Sequence, residues 1–108
     1  MPHKKNLIPA LATLLAMLVT APVCAADAQK LYTQGLAATC ANCHGTQGKS
    51  IKDGALPSLA GMKSDYLIEQ MQAFKTGTRS ATIMHQISKG FSEEQTKQLA
   101  DYFASQKP

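Results

Sequence analysis

Thr39–Gly45 reads TCANCHG, two cysteines at i and i+3 with a histidine directly after the second. On one helical turn, positions i, i+3 and i+4 share a face. Both thiols and the imidazole of His44 therefore line one side of a turn. Covalent capture of haem requires that arrangement, because two vinyl groups on neighbouring pyrroles can each take a thioether, at Cys40 and Cys43, while the next residue reaches the iron. The spacing CxxCH is read as a c-type haem attachment site. Three other readings compete with it. A thioredoxin-like dithiol wants a preceding strand and a βαβ context, and neither pattern precedes Thr39. A structural zinc site wants four ligands, and beyond residue 26 the chain offers only Cys40, Cys43, His44 and His85, without a second paired knuckle. A disulfide between Cys40 and Cys43 would close a loop too short to stabilise much.

Upstream of the motif, the 108 residues leave room for one domain, and the first quarter does not resemble part of it. His3, Lys4 and Lys5 precede an apolar run, Leu7–Val19, and mostly small residues follow in Ala21–Ala26. A basic start, a short apolar stretch and small residues at its end make a secretory signal, and the apolar run is too short to span a bilayer comfortably. Residues 1–26 are read as a removable signal with cleavage after Ala25 or Ala26, leaving a domain over 27–108 destined for the periplasm without stable membrane insertion. Lipidation at Cys24 is the rival processing, and Val23 counts against it, since it stands where that processing wants a small residue.

Charge and composition exclude one class of partner. The formal charge is +4, from 11 basic and 7 acidic residues. Without Lys4 and Lys5 the balance is 9 against 7, or +2. The remaining lysines and Arg79 are dispersed, with no basic run and no interleaved aromatics, so no nucleic-acid footprint is present. The chain has no tryptophan, three phenylalanines and three tyrosines. A domain of about 80 residues built from these buries too little apolar surface without a staple such as a disulfide, a metal or a large cofactor.

Three helices are predicted. Asp27 caps the first, over Ala28–Thr39, with Leu31, Gly35 and Ala38 on one face and Leu36 beside it. Ser64 caps the second, DYLIEQMQAFKT, with Leu67, Met71 and Phe74 on one stripe, Ile68 beside it and Gly77 at its end. Ser92 opens the third as a capping box with Gln95, with Glu93 and Glu94 at the positive helix end and Leu99, Tyr102 and Phe103 buried. Two irregular stretches, Gly45–Lys63 and Thr76–Gly90, separate them, the second with a short helix near Met84–Lys89. No segment alternates as a strand. The expected architecture is all-α with two long loops, and long loops in a small domain usually wrap something functional.

An iron held by His44 needs its opposite ligand from later in the chain. Met71 belongs to the apolar stripe of the second helix, and Met62 follows the motif too soon to get round the macrocycle. Met84, in RSATIMHQISKG, is the favoured ligand; His85 is its direct rival. Methionine ligation raises the reduction potential relative to two histidines and suits a carrier, whereas oxygen activation needs an open position. A proximal histidine donates its second ring N–H to a carbonyl or carboxylate; the Pro57 carbonyl in LPSLAG is the candidate, with a plain turn proline as the alternative. Arg79 is a candidate partner of a haem propionate, or else an exposed arginine.

With CANCHG, LPSLAG, DYLIEQMQAFKTGTR, ATIMHQISKGFSEEQ and LADYFASQ in register, the chain resembles class I bacterial cytochromes c over essentially all of residues 27–108. The stretch TIMHQISKGFS around Met84 is similar to the haem subunits of flavocytochrome c sulfide dehydrogenase. The resemblance implies a small class I fold, with three main helices plus loops wrapped around one covalent haem c. It also implies thioethers at Cys40 and Cys43, axial ligands His44 and Met84, a carbonyl partner at Pro57, and the first helix packed at Gly35 against Tyr102 and Phe103. In such enzymes a separate FAD-bearing flavoprotein subunit oxidises sulfide and the cytochrome takes the electrons onward. No flavin-binding glycine fingerprint occurs in this chain, so sulfide chemistry does not reside in it. Two other classes stay open: a freely diffusing carrier for a terminal oxidase or reductase, and a peroxidase or gas-binding protein with an open distal position.

Overall fold

The computed structural model describes residues 21–108, with side chains from Cys24 onward. The basic and apolar parts of the predicted signal lie outside the described residues. The chain divides into two units, Met1–Leu31 and Tyr32–Pro108. In the first, residues 21–31 are helical, and the side chains from Cys24 to Leu31 are exposed.

Helix α1 runs over Ala21–Ala38, which corrects the expected start at Ala28. Asp27 lies inside the helix and does not cap it. With Ala21–Ala26 already helical, the amides after Asp27 find backbone carbonyls one turn back, and no orphan donor is left for its carboxylate. The predicted apolar face is also displaced. Leu31, Gly35 and Ala38 are exposed, while Thr33, Leu36, Ala37 and Cys40 are buried or half-buried. The i, i+3, i+4, i+7 stripe is thus displaced by two positions, to nearly the opposite side of the helix, since alanines on every side leave the phase undetermined until Leu36 and Cys40 settle it.

The second unit continues with α2 (Ala41–His44), a 3-10 turn at Thr46–Gly48, α3 (Ser64–Thr76), α4 (Met84–Ile87), a 3-10 turn at Ser88–Gly90 and α5 (Glu93–Ala104). Among the described residues there is no strand. The expected all-α architecture of three long helices and two largely irregular stretches is the one observed.

Helix α3 begins one residue earlier than its predicted cap implies. Lys63, with extended backbone, holds the N-cap position and makes no side-chain cap. Ser64 is the first helical residue, and its Oγ donates to Asp101 Oδ1 of α5 at 2.6 Å. The hydroxyl links two helices instead of satisfying its own helix end. Gly77 closes α3 as expected, with φ of 79° and its N–H bonded to Phe74 O, a left-handed residue that costs glycine little. Leu67 is buried and Ile68 packs against the central cluster, but Met71 and Phe74, on the same stripe, are only half-buried and stand outside that cluster.

Helix α5 opens with the predicted capping box. Gln95 N–H donates to Ser92 Oγ, and the Ser92 N–H donates to the Gln95 side chain at 2.9 Å. Leu99, Ala100 and Phe103 are buried, and Tyr102 is half-buried with its ring edge-on to Phe103 at 5.2 Å. Ala37, Leu67, Leu99, Ala100 and Phe103 form the centre, with Leu36, Cys40, Leu59, Met62, Ile68, Phe91 and Tyr102 packed around it.

The glycine that admits the Phe103 ring is Gly48, and the expected Gly35 contact is absent. A Cβ at Gly35 would meet nothing within 4 Å, whereas one at Gly48 would lie 2.7 Å from Phe103 Cδ1 and 2.9 Å from Leu59 Cβ. Gly48 also has φ of +76°, so both space and backbone demand glycine there. Its carbonyl accepts from Leu59 N–H, Ala60 N–H and Ser58 Oγ at 2.7, 3.1 and 2.8 Å. This fastens the loop after the CxxCH turn to the core beside α5.

Candidate functional site

The segment Cys40–His44 is the helical turn its spacing predicts. Cys40 holds the N-cap position and α2 covers Ala41–His44. Backbone bonds from Cys43 N–H and His44 N–H both reach Cys40 O, at 3.3 and 2.9 Å. Cys40 is half-buried, Cys43 is exposed and His44 is 8% exposed. The thiols are free and do not form a disulfide.

His44 Nδ1 lies 2.8 Å from the carbonyl oxygen of Pro57. A carbonyl can only accept, so the proton sits on Nδ1 and the Nε2 lone pair remains available to a metal. Two loop anchors hold the Pro57 carbonyl at that point. The Gly48 carbonyl pins Ser58, Leu59 and Ala60 directly after it, and Gly61 N–H donates to Phe103 O at 2.9 Å.

Burial pushes the Cys40 thiol up from its ordinary value; the Thr39 hydroxyl pulls the other way, and neighbouring Cys43 adds to the rise. A redox dithiol needs the opposite, a thiolate favoured near neutral pH. Nor do the side chains converge as zinc ligands would: among the described residues no three of His, Cys, Asp and Glu are grouped to hold a metal ion.

Met84 is the first residue of α4 and is half-buried. Its neighbour His85 is also half-buried, and His85 Nδ1 is buried without a hydrogen-bond partner. An iron-bound histidine normally has its second ring nitrogen engaged, and His44 meets that condition through the Pro57 carbonyl. Arg79 is exposed, with its guanidinium 4.7 Å over the Phe74 ring and hydrogen-bonded to Gln70 Oε1. Those contacts fold it back on α3, which leaves a propionate role unsupported by the arrangement. Several large apolar side chains near these residues are uncovered: Leu56 beside Pro57, and Ile83 and Ile87 flanking Met84.

The chain matches the Cytochrome c family over residues 25–107. It belongs to the cytochrome c family. It is 37% identical over 94 residues to the thiosulfate dehydrogenase electron acceptor of Stutzerimonas stutzeri, covering 83% of this chain and 44% of that protein. It is 36% identical over 70 residues to the cytochrome subunit of sulfide dehydrogenase of Chlorobaculum tepidum, covering 65% of this chain and 62% of that one. Among solved structures it is similar to the cytochrome c4 of Acidithiobacillus ferrooxidans, at 41% identity and a TM-score of 0.57, over 61% of this chain and 37% of that chain. The chain thus spans less than two thirds of the length of each of these proteins.

This cytochrome has the small all-α class I fold, and membership of the family implies covalently bound haem c and electron transfer. The residues present suit that group. Two thiols and one imidazole lie on a single turn, the imidazole is oriented by a carbonyl, and uncovered apolar side chains stand nearby. Among the described residues no helix is long and apolar enough to cross a membrane.

Two features of the site escaped sequence reasoning. One is the Gly48 contact with Phe103, which would have required knowing the φ of the loop. The other is a bond from Lys75 Nζ to the Phe91 carbonyl at 2.7 Å; a lysine in a last helical turn ordinarily reads as a solvated charge.

Proposed function

We propose that this cytochrome c is an exported, single-haem electron carrier of the periplasm, working as the electron-accepting subunit of a sulfide-oxidising flavocytochrome. Residues 1–26 are its signal, removed after Ala25 or Ala26. Cys40 and Cys43 would hold haem c through thioethers, His44 and Met84 would bind its iron, and the Pro57 carbonyl orients the His44 ring for that role. The observation that carries the site reading is the 2.8 Å contact of His44 Nδ1 with Pro57 O, which leaves Nε2 of a buried imidazole free on the turn that presents both cysteines.

When bound, the haem supplies one-electron cycling between ferric and ferrous iron. The chain's own residues prepare it for that. His44 is presented in one tautomer and one orientation, so little reorganisation accompanies a change of charge at the metal. Met84, as a thioether donor, would raise the potential of a bound haem relative to a second imidazole and would leave no site for oxygen or peroxide. On this reading the flavoprotein partner supplies the chemistry and this chain receives the electron.

A second reading is supported by the similarity to a thiosulfate dehydrogenase electron acceptor over most of this chain. On that reading the protein accepts electrons from a dehydrogenase other than a flavocytochrome, which fits a diffusible carrier serving a terminal oxidase or reductase. Mass spectrometry and a pyridine haemochrome assay on the exported protein test the site. The expected result is one added haem mass on a chain starting at Ala26 or Asp27; an unmodified chain with both thiols free would overturn it. Co-purification separates the two functions: a stable one-to-one complex with an FAD subunit is expected, and a monomer reduced by unrelated donors would establish the free acceptor instead.

A further inference from the structure

Between the end of α3 and the start of α5, the segment Ser80–Gly90 carries Met84. Its near end is bolted to the last turn of α3. Gly77 N–H bonds Phe74 O at 3.2 Å, Arg79 N–H bonds Ala73 O at 3.1 Å, and Thr78 Oγ donates to Ala73 O at 3.2 Å. Inside the segment the backbone bonds are local: Gln86 and Ile87 N–H donate to Ile83 O, and Phe91 N–H donates to Ser88 O. Among the described residues, no hydrogen bond from Ser80–Gly90 reaches another part of the fold. Ser88 is buried with its hydroxyl unpartnered, so packing alone holds the middle. At the far end, Lys75 Nζ, from the same last turn of α3, donates to the Phe91 carbonyl at 2.7 Å in a partly buried setting.

We propose that Lys75 is the latch of the distal segment. Its bond to Phe91 closes the Met84 loop onto the end of α3 and sets how rarely Met84 leaves the iron. The proposal rests on the assignment of Met84 as a ligand. Both ends of the loop are then fixed to one helical turn, and among the described residues the latch is the polar bond that ties the far end back to α3. A charged donor to a backbone carbonyl is among the stronger hydrogen bonds. Ordering a long lysine side chain is entropically unfavourable, so the geometry persists only because the bond gives back more than that. Lys75 is a positioning residue, which acts on Met84 through the loop.

The test uses the holoprotein and external imidazole, which binds ferric iron only after the native sixth ligand has left. At saturating imidazole the observed rate is the rate of loop opening. Lys75→Met keeps the aliphatic stem and removes the donor; Lys75→Arg keeps a donor. Loss of one charged hydrogen bond predicts a limiting rate at least about tenfold faster in Lys75→Met, while Lys75→Arg stays within about threefold of the parent. The far-red band of the ferric parent reports the iron to methionine-sulfur bond, and a denaturant midpoint on each protein separates local opening from global unfolding. A parent with the band and a Lys75→Met variant opening at the parent rate would overturn the latch alone. A rise in rate fully matched by lost global stability would also overturn it. A parent lacking the band would overturn the Met84 assignment and the latch with it.

Discussion

Gly35 and Gly48 show how much a single position depends on its surroundings. Gly35 lies in a helix with open space beyond its Cα, so Gly35→Ala adds helix propensity at no steric cost and should stabilise the fold by about 1 kcal/mol. Gly48→Ala forces a methyl against the Phe103 ring and strains a positive φ, and it should cost about 2–4 kcal/mol. Thermal unfolding of the two holoprotein variants should therefore shift in opposite directions; a neutral Gly48→Ala would show that the loop can give way. Met84 is tested at the same scale. Met84→Ala should abolish the far-red band of the ferric protein, and survival of the band would place the sulfur ligand elsewhere.

At the level of elements, α3 and α5 are joined by a polar clamp in which Asp101 accepts from Lys97 Nζ and from Ser64 Oγ, each at 2.6 Å. The Lys97 bond chiefly, and then the Ser64 bond, hold the Asp101 carboxyl below the usual carboxylate range. A depressed folded-state value means that the contribution is fully present above the unfolded value, about 3.9. It is lost as the pH falls through the lower folded one. The Lys97–Asp101 pair is exposed, so its effect is small and screened by salt. Denaturant titrations should find Asp101→Asn less stable than the parent at pH 7, with the gap closing in strong acid. A gap that persists or widens in acid would remove the carboxylate from the clamp. Serine before an acidic first turn usually caps a helix, and the sequence predicts that role for Ser64; in the structure it makes a cross-helix bond with a partner far along the chain. The capping box at Ser92 was legible because both of its partners lie within one turn.

For the whole molecule, the decisive feature is how little the polypeptide buries by itself. Among the described residues the buried apolar ones are Ala37, Ala60, Leu67, Leu99, Ala100 and Phe103, and three of these six are alanine. So small a centre does not offset the entropy of ordering the chain, while Leu56, Ile83 and Ile87 stand uncovered around the site. Cys40→Ala with Cys43→Ala should therefore leave a largely unfolded chain, read by loss of helical circular dichroism and of a cooperative transition. A cooperatively folded apoprotein would show that the core needs no cofactor.

What the sequence determined by itself was local. The CxxCH turn, the Ser92 capping box, the Gly77 stop, the three long helices and the absence of strands all follow from residues within one or two turns of each other, where spacing alone fixes which groups meet. Membership of the cytochrome c family, read from the same motifs, agrees with the family match over residues 25–107. Only the tertiary structure decided which side of α1 is buried, which glycine receives the Phe103 ring, that Ser64 bonds Asp101, and that Lys75 closes the Met84 loop. Those outcomes join residues far apart in the chain. Their energies arise only once helices are packed, so no window of sequence contains both partners.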